Sequence, residues 1–173
     1  MRLEFTKYGK QTSDMHWLTS VKGSNDDRRQ HIQTVLIKDD FAYKTDGSRL
    51  FRVHNNSDET WTDGVYDVLK RIKSNVILVK RDDDPTWPDC EELFVDTSES
   101  KRDFTFNEST IDRDIKELFK LTSETESTFH IKWLLALVAG DNDFIGHIMD
   151  DDGIKPLIFD NESKTALIMP KRM

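Results

Sequence analysis

Hydrophobic positions along this chain switch between a period of two and a period near 3.6 residues. Residues 1–8 alternate loosely, with Leu3 and Phe5 on one side, and predict a first strand. Met15, Leu18 and Val21 then recur at helical spacing and predict a helix over 13–22, with Ser13 or Asp14 as its cap and Gly23 as its stop. The polar segment 24–30 reads as a loop. Three short β-prone runs follow at 32–38, 41–45 and 48–54, separated by Asp39-Asp40 and by Asp46-Gly47. Asp-Gly favours a hairpin because glycine accepts positive φ without steric cost, so the spacing predicts a β-meander over 32–54.

The segment 65–80 fits two patterns. Val65, Val68, Leu69 and Ile72 suit a helix, whereas the β-branched run 76–79 suits two strands turning at Lys73-Ser74-Asn75; the second reading is adopted. Residues 81–92 hold two prolines and read as a loop, and the polar stretch 96–103 as the most mobile part of the chain. A helix is predicted at 110–121, where Ile111, Ile115, Leu118 and Phe119 share a face and Asp112 and Lys116 form an i,i+4 pair. Residues 129–139 are apolar almost all round, which predicts a largely buried helix stopped at Gly140. Two β-prone runs, 156–159 and 165–169, flank the turn-like 160–163. Strands and helices joined by short hairpins predict an α+β fold with antiparallel sheets, not a doubly wound parallel one.

Composition narrows the class. The 173 residues suffice for one domain or two very small ones, and 36% hydrophobic against 34% charged residues gives a modest core. Lys and Arg number 25 against 33 Asp and Glu, a net charge of −8, which argues against holding nucleic acid by bulk charge. No apolar run approaches the roughly 18 residues of a membrane span, and the start, MRLEFTKYGK, lacks a signal-peptide core; a soluble cytoplasmic protein is expected. Cys90 is the single cysteine, which excludes an intrachain disulfide and a multi-cysteine zinc site.

Candidate chemistry is sparse. There is no GxGxxG and no GxxxxGK[ST], so no glycine-rich phosphate cradle. His16, His31, His54, His130 and His147 fall in no metal-binding spacing and read as surface or half-buried histidines. Cys90 is followed by two glutamates, which disfavour a thiolate. The runs at 82–84 and 150–152, each of three aspartates, lack calcium-loop spacing; they read as solvated loop tips, with a metal-dependent enzyme as the rival reading. No residue is nominated as catalytic, no metal ligand is assigned, and no cofactor is expected.

Two segments carry a resemblance. Thr45-Asp46-Gly47-Ser48-Arg49-Leu50 stands at a strand turn, and FHIKWLLALV with the terminal KPLIFDNESKTALIMPKRM closes the chain. Together they resemble the bacterial DNA polymerase III beta subunit, the sliding clamp, whose members carry a TDGHRL-type turn and end in a strand pair followed by MPMRL or a close variant. The Trp87-Pro88-Asp89 loop is similar to a Tyr/Phe-Pro-Asp element of that family. Ser48 stands where the family has His, and MPKRM where it has MPMRL. The likeness covers 31–54, 85–92 and 128–173, and it points to a compact, phage-encoded, single-domain relative.

That resemblance implies a clamp-like domain of two β-α-β-β-β halves, roughly 1–92 and 93–173, with antiparallel sheets outside and two helices on one face. It implies no enzymatic activity. The function implied is a processivity factor that tethers replication proteins to double-stranded DNA, as a homo-oligomer; a non-encircling adaptor that binds linear peptide motifs is the alternative. Partners would be DNA, met non-specifically, and a DNA polymerase and clamp-loader-type proteins through short peptides, with no membrane. Carried over by motif, Thr45, Gly47, Arg49 and Leu50 would form one wall of a peptide groove, and Leu167, Met169, Pro170, Lys171, Arg172 and Met173 the other; Leu167 and Met169 also read as plain strand core. The DNA-facing cations near the helices would be Lys10, Lys22, Arg28, Arg29 and Lys132.

Overall fold

The computed structural model describes residues 1–6, 9–22, 29–107, 109, 112–113, 115–116, 127–128, 131–138, 143–149 and 155–172. They form two compact units, Met1–Leu93 and Phe94–Met173, and the class is α+β with antiparallel pairing throughout the described strands.

The first unit contains β1 (Arg2–Thr6), α1 (Lys10–Leu18), β2 (Val35–Lys38), β3 (Phe41–Thr45), β4 (Arg49–His54), β5 (Gly64–Ile72) and β6 (Asn75–Lys80). Its strands lie in the order β1-β6-β5-β2-β3-β4. The meander over 32–54 is present, although 30–33 forms a 3-10 turn and β2 begins only at Val35. Asp39 and Asp40 make the β2–β3 turn with φ of 51° and 64°, the paired positive values that match the twist of a two-residue hairpin. The segment 65–80 is indeed two strands, turning at Lys73-Ser74.

The helix differs from expectation. It runs from Lys10 to Leu18 and is capped by the backbone of Gly9, so Ser13 and Asp14 lie inside it. It ends at Thr19, whose hydroxyl donates to the Met15 carbonyl at 2.7 Å and competes with the next helical turn. Gly23 lies outside the described residues. Met15, Trp17 and Leu18 pack onto the sheet, where Trp17 stacks on Phe51 with ring centroids 4.3 Å apart. Ile32, Val35, Ile37, Val53, Val76 and Leu78 are also buried in this unit. Full burial of a side chain of this size is worth roughly 1.5–3 kcal/mol.

The second unit contains β7 (Arg102–Phe106), a short β8 (Ser127–Thr128), α2 (Ile131–Val138), β9 (Phe144–Ile148), β10 (Leu157–Asp160), β11 (Lys164–Ile168) and a short β12 (Lys171–Arg172). The order is β11-β10-β9-β7, with β12 paired to β8 separately. Of the helix expected at 110–121, Asp112, Arg113, Ile115 and Lys116 are helical and the rest lies outside the described residues. The stretch 96–103 is not one open loop: Thr97–Glu99 is a 3-10 turn capped by the Asp96 carboxylate, and β7 has started by Arg102. Strand β9 was not anticipated at all.

Nor is α2 buried all round. Leu134, Leu137 and Val138 are buried, whereas Leu135 is 45% exposed and Lys132 is exposed. Eight residues of helix present two faces, and only one can pack on a sheet.

The two units share a topological plan. The second runs strand, helix, then three strands in a meander. The first does the same from β1 to β4, but the hairpin β5–β6 is inserted between β1 and β2 in its sheet. Each unit thus contains the expected β-α-β-β-β run, to which the first adds the β5–β6 hairpin.

Candidate functional site

The turn at 45–50 is built from its own side chains. Asp46 Oδ1 accepts from the backbone N–H of Ser48 and Arg49 at 3.0 and 2.9 Å, a double Asx-type closure of the loop. Its Oδ2 accepts from Arg49 Nε and Nη2 at 2.9 and 2.6 Å, a bidentate pair with side chains only 13% and 11% exposed. The Thr45 hydroxyl donates to the Arg49 carbonyl at 2.6 Å and accepts from Gly47 N–H at 3.0 Å. Gly47 has φ +86°, a conformation that favours glycine, and the end of the exposed Arg29 side chain lies against it, with Nη1 2.7 Å from where a Cβ would stand. Leu50 is buried, and Arg49 lies 5.9 Å over the Phe51 ring that Trp17 stacks on.

These contacts decide what the turn offers. Arg49 is neutralised by Asp46 and does not present an open anion site. The accessible rim is Gly47 and Ser48, with the exposed Arg29 beside them. Arg29 therefore sits at the turn.

Beneath the turn, Lys44 is buried. Its Nζ donates to the carbonyls of Ile32 and Thr34 at 2.9 and 3.1 Å, tying the 3-10 turn to β3. Burial pushes its ammonium down to about 8, against smaller raising effects of Asp46 and Asp67.

The loop carrying Trp87-Pro88-Asp89 packs in the same unit. Trp87 Nε1 donates to the Thr34 hydroxyl at 3.2 Å and its ring meets His31 edge-on at 5.8 Å. Tyr43 donates to Glu91, which also pairs with Arg52 at 3.1 Å, and Arg52 lies 4.9 Å over Phe41. Burial first, and then the Glu91 bond, raise the Tyr43 hydroxyl. The Cys90 thiol is pushed up to about 11 by burial first, with Asp89 and Glu91 adding to it, which leaves it a poor nucleophile.

The tail residues belong to the second unit. Leu167 is buried strand core in β11, Met169 is 43% exposed and Pro170 half-buried. Lys171 and Arg172 form β12, in register with Thr128 and Ser127, and Met173 lies outside the described residues. Among the expected DNA-facing cations, Lys10 on α1, Lys22 and Lys132 on α2 are exposed; Arg28 lies outside the described residues.

One polar cluster escaped the sequence reading. His147 on β9 is buried with Nδ1 2.7 Å from Asp103 Oδ1 on β7 and Nε2 3.2 Å from Asp160 Oδ1 on β10. A ring with a carboxylate at each nitrogen can donate to both only as the imidazolium. Asp103 is held below the usual carboxylate range by Ser100 first and then His147. The cluster ties three strands together, and only their register reveals it. Of the aspartate runs, Asp83 is taken up by Arg81, and 150–152 lie outside the described residues. Among the described residues no group of three or more His, Cys, Asp or Glu is placed to hold a metal ion, and no helix is long and apolar enough to cross a membrane.

No family model and no curated protein sequence matches the chain. Solved structures do. The DNA polymerase III beta chain of Streptococcus pneumoniae is 12% identical with a TM-score of 0.65, over 100% of this chain and 64% of that one. The beta subunit from Streptococcus pyogenes DNA polymerase is 13% identical with a TM-score of 0.62, over 100% and 66%. The Helicobacter pylori beta clamp bound to a DNA ligase peptide is 13% identical with a TM-score of 0.56, over 99% and 66%. The chain thus spans about two thirds of the length of each. Its fold is that of the bacterial sliding clamps.

Proposed function

We propose that the chain is a clamp-like processivity factor of DNA replication: it tethers replication proteins to duplex DNA, works as a cytoplasmic homo-oligomer of single clamp-like domains, and catalyses no reaction itself. The observation that carries this reading is the sliding-clamp fold over the whole length of the chain. The Thr45–Arg49 turn built on Asp46 and Gly47 supports it, because that is the element in which the sequence resembles the family.

Physically, a tether that encloses DNA needs no tight adhesion, since strong adhesion would stop sliding. A net charge of −8 is then compatible with work on DNA, provided that Lys10, Lys22, Arg28, Arg29 and Lys132 supply local positive charge. Partner peptides, as in the Helicobacter pylori clamp with its DNA ligase peptide, would use residues at Thr45, Gly47, Arg49 and Leu50 and at Leu167, Met169, Pro170, Lys171, Arg172 and Met173. The internal Asp46–Arg49 pair supports a shaping role for Arg49 within that wall, of which Gly47 and Ser48, with Arg29 beside them, are the accessible part. Polymerase and clamp-loader-type proteins are the expected sources of such peptides.

The test is solution mass together with retention on circular and on linearised DNA. An oligomer retained on circles and lost from linear DNA supports the reading; a strict monomer retained on neither overturns it. A monomer that binds a replication-protein peptide and loses it on deletion of 171–173 would establish the non-encircling adaptor instead.

A further inference from the structure

Between Asp67 and Asp82 the chain carries Lys70, Arg71, Lys73, Lys80 and Arg81 and not one acid, although its net charge is −8. The structure divides these cations into two groups. Lys80 donates to the Asp63 carbonyl at 2.7 Å, and Arg81 is held by Asp67 and Asp83 at 3.0 and 2.6 Å. Lys70, Arg71 and Lys73 stand exposed at the tip of the β5–β6 hairpin. Among the described residues, neither Lys70 nor Lys73 has an acidic partner. Asp67, the acid before the tip, is occupied by Arg81, and Glu4, which accepts from Asn75, is also bound by Arg2.

The backbone leaves the β5 side of this tip without a neighbouring strand, while β6 pairs with β1 as far as Asn75. Strand β5 pairs with β2 only at Gly64, Val65 and Tyr66, and from there to Ile72 it pairs with β6 alone. The register shifts between Val68 and Lys70, a bulge of the kind that re-aims side chains. Leu69 and Ile72 are left 66% and 48% exposed between the cations. Arg71 Nε donates to the His16 carbonyl at 3.2 Å, which fixes the hairpin beside the end of α1. Arg71 and Lys73 both lower the His16 imidazole, after burial, so these groups share one electrostatic neighbourhood. Exposed lysines alone would serve solubility; an exposed leucine and isoleucine among them would not. Ammonium groups for phosphates, with aliphatic side chains for the sugars between them, match a nucleic-acid backbone.

We propose that the β5–β6 hairpin tip, through Lys70, Arg71 and Lys73, is a phosphate-contacting element for duplex DNA. The inference rests on the DNA reading above and adds to it an element that the helix-centred expectation did not include.

The test uses the full chain, a short fluorescein-labelled duplex and anisotropy titrations from about 50 to 200 mM KCl. Lys70→Gln/Lys73→Gln should flatten the plot of log affinity against log salt by about 1.8 and weaken binding about tenfold at the lowest salt, since each lost phosphate contact removes about 0.9 of slope. Lys38→Gln/Lys101→Gln, with the same net charge, should leave the slope unchanged, and Lys70→Arg/Lys73→Arg should restore it. Equal losses in both glutamine pairs, or wild-type binding by Lys70→Gln/Lys73→Gln, overturn the hairpin assignment and leave the DNA reading standing. Wild-type chain that ignores the short duplex at about 50 mM salt also overturns the hairpin assignment, whereas retention on circular DNA decides the DNA reading separately. Binding to phosphatidylserine vesicles but not to duplex reassigns the tip to a membrane surface and overturns the proposal.

Discussion

Replacing Lys44 by methionine should change how the stability of the first unit responds to alkali. In the folded chain the ammonium is pushed down to about 8 from 10.5, chiefly by burial. Because the folded state gives up its proton first, the unfolded state binds more protons between those values, and stability rises with pH there. The gain is complete above 10.5 and is lost as the pH falls through 8. At 1.36 kcal/mol for each pH unit between the two values, it amounts to about 3 kcal/mol. At pH 7 the substitution removes a burial penalty of that size, but it also strips the Ile32 and Thr34 carbonyls of their donor. Two orphaned acceptors cost about 1–3 kcal/mol each, so the wild-type chain and Lys44→Met should be of similar stability at neutral pH. At pH 10.5 the neutral amine still has two N–H groups for the two carbonyls, and the wild-type chain should lead by about 3 kcal/mol. Urea titrations followed by tryptophan fluorescence from pH 7 to 10.5 read the difference. Parallel stability curves for the two chains would refute the burial argument.

Three further outcomes are expected. Asp46→Ala should cost about 2–4 kcal/mol in urea unfolding, because it opens the turn and removes the carboxylate that offsets the half-buried Arg49 charge; Asp46→Asn, which keeps the acceptor for Ser48 and Arg49 N–H, should cost less. Gly146→Ala should lower the melting temperature, with a loss of about 1–3 kcal/mol, since its Cβ would stand 2.4 Å from the Phe104 ring; the double change Gly146→Ala/Phe104→Leu should recover part of the loss. For Asp103, held below the usual range, the stabilisation is present above the ordinary carboxylate value of 3.8 and vanishes as the pH drops through its lower folded value. Thermal melts from pH 5 to 2 should show a drop of under about 1 kcal/mol from this half-exposed group, smaller in His147→Gln.

Legibility in the sequence followed the range of the interactions. The meander over 32–54 and the turn at 45–50 could be read because their causes lie within a few residues: positive φ at Asp39, Asp40 and Gly47, and a carboxylate three positions from the arginine it binds. Strands β7 and β9 could not. Asp103, Gly146 and His147 break any apolar alternation. Their cost is removed by neighbours remote in sequence: the Phe104 ring covers Gly146, and carboxylates on β7 and β10 hold His147. Helix α2 looked buried because a window counts apolar residues without knowing that just one side of the helix meets a sheet. At the candidate site, the residue types of the turn were legible, but the withdrawal of Arg49 into the Asp46 pair and the arrival of Arg29 over Gly47 were not.

The placing of β1 has a consequence for the order in which the chain can be assembled on the ribosome. Its partner is β6, with Arg2 opposite Val79 and Thr6 opposite Asn75. Strand β1 therefore precedes its partner in synthesis: some seventy residues must emerge after it before its backbone groups find donors and acceptors. Until then the meander can close without it, and Leu3 and Phe5 stay uncovered on the nascent chain, a window in which a chaperone or a second copy competes for them.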